Sequence, residues 1–284
     1  MHFLVFGASG MAGHVISNYL KEQGHNVIGY TRRPLHFIDY ILGDARDTEK
    51  VKKIIEVGNY DAVINAIGIL NQFAETDKEA AAFLNAYFPH YLAKITADKE
   101  VQVIHMSTDC VFSGKTGPYT EKSFRDGETF YDRSKAMGEL EDNKNLTLRH
   151  SIIGPDMNEY GIGLLNWFMK QEGEINGYTH AMWTGVTTLE LAKIIEAAVE
   201  EKVHGLINMV YEKNISKYEL LKLLNQYLRG NSVKINPYGE LLLDKTLVRT
   251  NFEFDYKVPN YEIMIGEMAE WMCKHKNLYP HYRL

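Results

Sequence analysis

The sequence predicts an α/β fold, in which a doubly wound parallel sheet is followed by a smaller C-terminal α/β lobe. Short apolar runs alternate with amphipathic helical patterns up to about residue 154, which is typical of a parallel sheet with helices on both faces. The first apolar run ends in a glycine-rich turn that leads directly into a helical pattern. A chain of 284 residues is long enough for one large core with an added lobe.

The first strand is predicted at Phe3 to Phe6, and a helix with apolar residues at Val15, Ile16 and Leu20 follows it. Between them, three glycines are spaced three residues apart, where a Cβ would block a tight turn, a phosphate or close helix packing. Backbone N–H groups at an open helix N-terminus bind anions, so we expect a pyrophosphate here. The alternative is a glycine-rich turn without a ligand. The residues of the predicted phosphate turn are Gly7, Ser9, Gly10, Met11 and Gly13.

The elements that follow continue the alternation up to residue 106. Asp47 is a candidate N-cap for a helix that ends at Val57, and Pro89 is expected to bend a later, longer helix. The predicted strands are residues 25–30, 39–42, 61–65 and 101–106, and the long helix covers about 76–98.

The second half of the chain is less regular. A long loop at residues 107–128 follows a parallel strand, and loops of that length are more often functional than not. We predict a Rossmann-type domain at 1–154 with returning elements at about 188–210, and a lobe that comprises most of 155–284. The further predicted helices are 128–143, 162–170, 188–200, 216–228 and 263–275, and the predicted strands are 146–151, 206–210 and 233–235.

The composition argues against several classes of protein. The net charge of −6, with scattered lysines and arginines, is unlike that of a nucleic-acid-binding protein. Cys110 and Cys273 lie far apart and suit a reducing compartment, and no histidine spacing indicates a metal site. No apolar run reaches membrane-spanning length, and the N-terminus does not resemble a signal peptide. We therefore expect a cytoplasmic protein without a membrane or nucleic-acid partner.

Polar and small residues follow each predicted strand, at the edge of a parallel sheet where ligands collect. Arg32 and Arg33 stand where an NAD-binding fold usually has an acid, so they favour the 2′-phosphate of NADP, with NADH still possible. The alternative is a solvated basic turn. Asp44 is predicted to accept from the adenine amino group, unless it is only a turn aspartate. The remaining predicted cofactor contacts are Ala45, Asn65, Ala66, Ile67, Ser107, Tyr131 and Lys135.

Tyr131 and Lys135 are four residues apart on a predicted helix and therefore share one face. A nearby ammonium lowers the pKa of a phenol, so we expect Tyr131 to supply the proton that carbonyl reduction requires. Thr108 is expected to hydrogen-bond the same carbonyl oxygen. A tyrosine and a lysine at this spacing are common in proteins. The prediction therefore also depends on the glycine turn and on Ser107 and Thr108 upstream.

These motifs together resemble an extended short-chain dehydrogenase/reductase. More narrowly, residues 107–114 (STDCVFSG), 131–139 (YDRSKAMGE) and 148–149 (LR) are similar to the dTDP-4-dehydrorhamnose reductase group. The resemblance covers most of the chain and is strongest up to about residue 155. It implies a Rossmann domain, NAD(P)H, a nucleotide-activated 4-keto-6-deoxysugar and a role in surface polysaccharide synthesis. It also implies that Thr108, Tyr131 and Lys135 are catalytic and that Lys135 holds the nicotinamide ribose.

The sequence departs from this group at Asp132, where glycine is common, and in residues 125–130, which lack a proline-rich approach. The substrate contacts are consequently less well defined. Core packing is the favoured alternative for Trp183, and Arg149 has the alternative of pairing with a carboxylate. The predicted substrate contacts are Asp109, Val111, Phe112, Arg149 and Trp183.

Three functions agree with these residues. The first is an NADPH-dependent reductase of a dTDP- or UDP-linked 4-keto-6-deoxysugar, with a homodimer as one alternative for its open oligomeric state. The second is a sugar-nucleotide epimerase with tightly held NAD, against which Arg32 and Arg33 argue. The third is a non-catalytic NADP-binding regulatory protein, against which the complete set of Thr108, Tyr131 and Lys135 argues.

Overall fold

A seven-stranded parallel sheet forms the centre of the computed structural model, which describes residues 1–284. The strand order is β11-β6-β5-β4-β1-β2-β3, and every neighbouring pair is parallel. The predicted doubly wound parallel sheet is thereby confirmed. The strands are β1 His2–Phe6, β2 Asn26–Thr31, β3 Asp39–Leu42, β4 Ala62–Asn65, β5 Gln102–Ser107, β6 Leu146–Arg149 and β11 Gly205–Asn208.

Strand β1 shows why the sheet is buried on both faces. Phe3 and Val5 belong to the larger core on one face, whereas Leu4 and Phe6 belong to a second core on the other. A central parallel strand needs apolar side chains in both directions, which accounts for its continuous apolar run. The helices of this part are α1 Met11–Glu22, α2 Thr48–Val57, α3 Asn71–Thr76, α4 Lys78–Ala81, α5 Phe88–Ile95, α6 Phe130–Met137 and α8 Thr188–Glu200.

The helix predicted at 76–98 differs from the observed structure. Helix α3 ends at Thr76, and the side chain of Asp77 accepts a hydrogen bond from the amide of Ala80, so that it caps α4. The chain then passes through a wider π-type turn, Ala82–Tyr87, into α5. A capping aspartate within an apolar pattern therefore starts a new helix. The helix predicted to reach residue 143 ends at Met137.

The C-terminal lobe contains short strands that the sequence analysis largely missed. They form a β7–β10 pair, a β12-β9-β14 sheet and a β8–β13 pair. Strand β11 lies at the edge of the main sheet, beside β6. None of the helices has the length and hydropathy of a membrane span. The elements are β7 Ser151–Ile153, α7 Leu164–Phe168, β8 Glu174–Tyr178, β9 Ala181–Trp183, β10 Gly185–Thr187, β12 Ile215–Ser216, α9 Lys217–Arg229, β13 Lys234–Tyr238, β14 Leu243–Asp244 and α10 Tyr261–Lys274.

Candidate active site

The glycine turn between β1 and α1 has the shape that a phosphate site requires. Gly7 has a φ of +78°, and its amide donates to the carbonyl of Tyr30 over 3.0 Å. A Cβ on Gly13 would lie 2.1 Å from the Gly7 carbonyl oxygen, so only glycine permits this approach of α1. Gly10 precedes α1, no side chain caps the helix, and its first turn carries no acidic residue. The N-terminus of α1 therefore remains available to an anion.

The basic turn after β2 lies beside this site. The hydroxyl of Thr31 donates to the Ser9 hydroxyl over 3.0 Å and accepts from the amide of Arg33 over 3.2 Å, so the two turns are joined. Arg32 and Arg33 are both exposed at the carboxyl end of β2. The Sδ atom of Met11 would lie 3.1 Å from a Cβ on Gly163, so the start of α1 lies close to the residue that precedes α7.

Asp44 is part of a local ion pair that the sequence analysis missed. Its carboxylate accepts from the amide of Arg46 over 2.9 Å and from the Arg46 guanidinium over 2.8 and 3.2 Å. The hydrogen bond from Arg46 lowers the pKa of Asp44, with a smaller contribution from Arg32. Ala45 is buried beneath this turn. The turn-aspartate alternative thus describes the observed contacts, and the adenine contact remains a prediction. The Asp44-x-Arg46 spacing is the sequence signal from which this ion pair could have been predicted.

The end of β4 forms the floor of the same crevice. The Asn65 amide group contacts Nδ1 of His105 over 3.1 Å and accepts from the amide of Ile67 over 3.3 Å. A Cβ on Gly7 would lie 3.0 Å from the backbone of Ala66 and from the Ile67 side chain. The backbone at Ala66 and Ile67 therefore packs against the glycine turn. Asn65 is fully buried, and its hydrogen bond with the Ile67 amide fixes the conformation of this segment.

Helix α6 carries Tyr131 and Lys135, and its start explains Asp132. The Thr129 side chain accepts from the amide of Asp132, and the Asp132 carboxylate accepts from the amide of Thr129 over 3.1 Å. The same carboxylate also accepts from the amide of Glu128. This capping box fixes the first turn, so the departure from the usual glycine stabilises the helix that presents Tyr131.

Tyr131 and Thr108 lie together at the carboxyl edge of β5. The Thr108 hydroxyl donates to Asp109 Oδ1 over 3.1 Å and accepts from the amide of Cys110 over 3.2 Å. Burial raises the pKa of the Tyr131 phenol, and a hydrogen bond with Thr108 acts in the opposite direction. The expectation that Lys135 lowers this pKa is therefore wrong for this structure. At neutral pH the phenol is protonated, which is the form that can donate a proton.

Lys135 lies in a buried position beside two buried histidines. Its ammonium donates to the Met106 carbonyl over 2.6 Å, and burial lowers the pKa of Lys135 to about 8. His105 and His150 are fully buried, and burial together with the charge of Lys135 lowers the pKa of both imidazoles. Both histidines are thus neutral near pH 7, and Lys135 is the cation beside Tyr131 on α6.

The buried position of Lys135 leads to a testable pH dependence. Its pKa is about 8 in the folded chain and near 10.5 in the unfolded chain, so the unfolded state binds more protons between these values. Folding stability should therefore rise with pH in this window. Relative to Lys135→Met, the free energy of unfolding of the wild type should increase by roughly 1–3 kcal/mol from pH 7.5 to 10.5 in urea titrations. Parallel curves for the wild type and Lys135→Met would contradict the assignment, and Lys53→Met at an exposed position is the control.

A buried network behind α6 involves Ser107 and Arg149. Glu139 accepts from the Ser107 hydroxyl over 2.5 Å, from Arg149 Nε and Nη2 over 2.8 and 2.6 Å, and from Arg125. Hydrogen bonds to both arginines and to Ser107 lower the pKa of Glu139 against the effect of burial. Sequence reasoning missed Glu139, because it lies beyond the end of α6 and its partner Arg149 comes from a separate strand.

This network corrects the prediction for Arg149. The side chain is 0% exposed and paired with Glu139, so it does not reach a substrate diphosphate, and the carboxylate alternative is the observed one. The hydroxyl of Ser107 donates its proton to Glu139. Its oxygen can still accept a hydrogen bond, so the cofactor contact of Ser107 stays a prediction.

Two other predicted substrate contacts are also core residues. Val111 and Phe112 are 0% exposed, and the Phe112 ring stacks on Tyr119 at 4.2 Å, so neither side chain lines a sugar pocket. The prediction failed because both are apolar and belong to a small core beneath the 107–128 loop. Trp183 packs against Tyr261 at 5.6 Å in the main core, as its alternative stated. Asp109, nearly buried beside Thr108, remains a candidate.

Comparisons with known proteins agree with this geometry. A probable low-salt glycan biosynthesis reductase from Haloferax volcanii is 34% identical over 143 residues, which is 49% of this chain and 48% of that protein. This chain thus spans about half the length of that curated relative. The dTDP-4-keto-6-deoxy-D-glucose reductase of Streptomyces niveus is 24% identical over 247 residues, which is 83% of this chain and 81% of that protein.

A solved structure extends the similarity to the whole fold. The dTDP-4-dehydrorhamnose reductase of Bacillus anthracis, in complex with NADP, superposes with a TM-score of 0.79 at 18% identity and covers 95% of this chain and 99% of that chain. A sequence model of the RmlD substrate binding domain family matches residues 1–239. The predicted resemblance is confirmed, and this chain belongs to the RmlD substrate binding domain family.

Proposed function

We propose that this protein is an NADPH-dependent reductase of a nucleotide-activated 4-keto-6-deoxysugar. The observation that carries the proposal is the position of Thr108, Tyr131 and Lys135 at the same sheet edge as the glycine turn. Bound NADPH would supply a hydride to C4 of the sugar. Tyr131 donates its phenolic proton to the carbonyl oxygen, which gives the alcohol, and Thr108 hydrogen-bonds that oxygen. The names of the Haloferax and Streptomyces relatives support reductase chemistry in glycan or sugar-nucleotide synthesis.

The residues of the crevice fit a dinucleotide. The uncapped start of α1 and the glycines that precede it would hold the pyrophosphate. Lys135 would hold the nicotinamide ribose in place of its present contact with the Met106 carbonyl. The exposed guanidinium groups of Arg32 and Arg33 would pair with the 2′-phosphate. The NADP complex of the Bacillus anthracis protein supports the same cofactor.

Removing both guanidinium groups should weaken the binding of NADPH much more than the binding of NADH. In the double variant Arg32→Ala/Arg33→Ala, the Kd for NADPH should rise about 10- to 100-fold, because charge-assisted hydrogen bonds to the 2′-phosphate are lost. The Kd for NADH should change less than about threefold. Fluorescence titration of both cofactors measures this difference, with Lys52→Ala as a control on the same domain. An equal loss for both cofactors would refute the 2′-phosphate role.

The decisive test of function is turnover. Purified protein should oxidise NADPH in the presence of a dTDP- or UDP-linked 4-keto-6-deoxyhexose, and the product should be the 4-hydroxy sugar by NMR. Failure with every such sugar nucleotide would eliminate the reductase. NAD that remains bound through purification would instead favour the epimerase. An unchanged biological role for Tyr131→Phe would favour the regulatory protein.

Two observations support a cytoplasmic homodimer. Both cysteines are unpaired, which suits a cytoplasmic enzyme that uses a reduced cofactor. Tyr87 of the segment between α4 and α5 and Met137 of α6 are 52% and 59% exposed, which supports a homodimer through these helices. Light scattering of the purified protein should then give about twice the mass of 32.6 kDa.

A further inference from the structure

Two lysines of the C-terminal lobe occupy related positions beside β9. Strands β12 and β14 flank β9, and Ser216 and Asp244 both pair with Met182. Lys217 and Lys245 are the residues that immediately follow these two partners. The three-stranded sheet therefore brings together two cations that are 28 residues apart in sequence.

Both ammonium groups lie near the catalytic edge of the main sheet. A Cβ on Gly114 would lie 3.0 Å from Cγ of Lys245, so the loop that follows β5 packs on the stem of this lysine. The charges of Lys245 and Lys217 oppose the effect of burial on the pKa of Asp109. Asp109 in turn accepts the hydrogen bond of Thr108. The two cations thus approach the residue next to the predicted catalytic threonine.

Neither lysine has a carboxylate partner of its own. The lysine ion pairs of this structure involve Lys52, Lys115, Lys193, Lys222, Lys234 and Lys274. Lys217 and Lys245 are nevertheless half-buried, and the charges of both act on the buried Asp109 carboxyl against the effect of burial. The neighbouring Asp244 carboxylate accepts from the amide and hydroxyl of Thr246. Two partly desolvated lysines without an ion-pair partner favour the binding of an anionic group.

We propose that Lys217 and Lys245 bind the diphosphate of the sugar nucleotide and thereby direct its sugar ring toward Thr108 and Tyr131. This inference rests on the proposed function, and it names the substrate class through its anionic group. A nucleoside diphosphate carries this group even without the sugar. Binding can therefore be measured without cofactor or turnover.

Calorimetry with dTDP and UDP tests the inference directly. Lys217→Gln and Lys245→Gln should each raise the Kd for the nucleoside diphosphate that the wild type binds by about 10-fold, and the double variant by about 100-fold. Affinity for NADPH should stay within about twofold. Lys222→Gln is the matched control, because Lys222 is an exposed lysine on the same helix, paired with Glu219.

The outcomes separate this inference from the proposed reductase. Unchanged affinity in both lysine variants, or a wild type that binds neither dTDP nor UDP, would overturn the diphosphate role even if a 4-keto sugar nucleotide is reduced. Weakened nucleotide binding without turnover of any 4-keto sugar would support the lysines and refute the reductase. Equal weakening of thymidine, which lacks phosphate, would indicate general damage to the lobe and contradict the role.

Discussion

Replacing Tyr131 by phenylalanine is expected to lower kcat by about 10²- to 10⁴-fold while NADPH binds with nearly wild-type affinity. This is the range that a positioned general acid contributes. The phenol is nearly buried, its pKa is raised by burial, and its ring packs among Ala74 and Ala81. Phenylalanine preserves that packing and removes only the hydroxyl. Stopped-flow measurement of NADPH oxidation at saturating substrate reports the rate of the reduction step.

The control for Tyr131→Phe is a variant that removes a tyrosine hydroxyl elsewhere and leaves the proton donor in place. Tyr227→Phe removes a hydroxyl from a partly exposed ring and should leave kcat within about twofold. In Tyr131→Phe, cofactor affinity and the thermal midpoint should match those of the wild type. Near-normal turnover in this variant would mean that another group protonates the oxygen, and the assignment of Tyr131 would have to be abandoned.

The sheet and the cofactor crevice were predictable because their signals are local. A buried parallel strand needs a continuous apolar run, and a close approach of helix to turn needs glycine at positions such as Gly7 and Gly13. Helical spacing also placed Tyr131 and Lys135 on one helix. These features depend on chain geometry over a few residues, so sequence reasoning finds them.

The substrate side was harder because its geometry depends on distant segments. Phe112 lies shortly after the end of β5, yet Tyr119 and Leu247 enclose it in a core. Strand β9 is only three residues long, and its partners, β12 and β14, come from much later in the chain. No local pattern places Lys217 or Lys245 beside Asp109. Tertiary packing therefore decides which residues at this edge meet a ligand.

Glu139→Ala is expected to lower the free energy of unfolding by about 3–5 kcal/mol, the largest stability effect we predict. The side chains of Glu139 and Arg149 are both 0% exposed, and the substitution leaves the Arg149 guanidinium buried without its charge partner. Ser107 loses its hydrogen-bond acceptor as well. Because Glu139 lies just beyond Gly138, the C-cap of α6, loss of the network should also loosen the end of the helix that carries Lys135. Urea titration monitored by circular dichroism measures the loss.

Glu141 provides the matched control, because it pairs with the same Arg125 but is 56% exposed. Glu141→Ala should cost less than about 1 kcal/mol, since water solvates both charges once the pair is broken. A double variant, Glu139→Leu with Arg149→Met, should recover part of the stability lost in Glu139→Ala, because it no longer buries an unpaired guanidinium. If Glu139→Ala were as mild as Glu141→Ala, the network would not hold α6 in place. The position of Lys135 would then depend only on the capping box at the start of α6 and on side-chain packing.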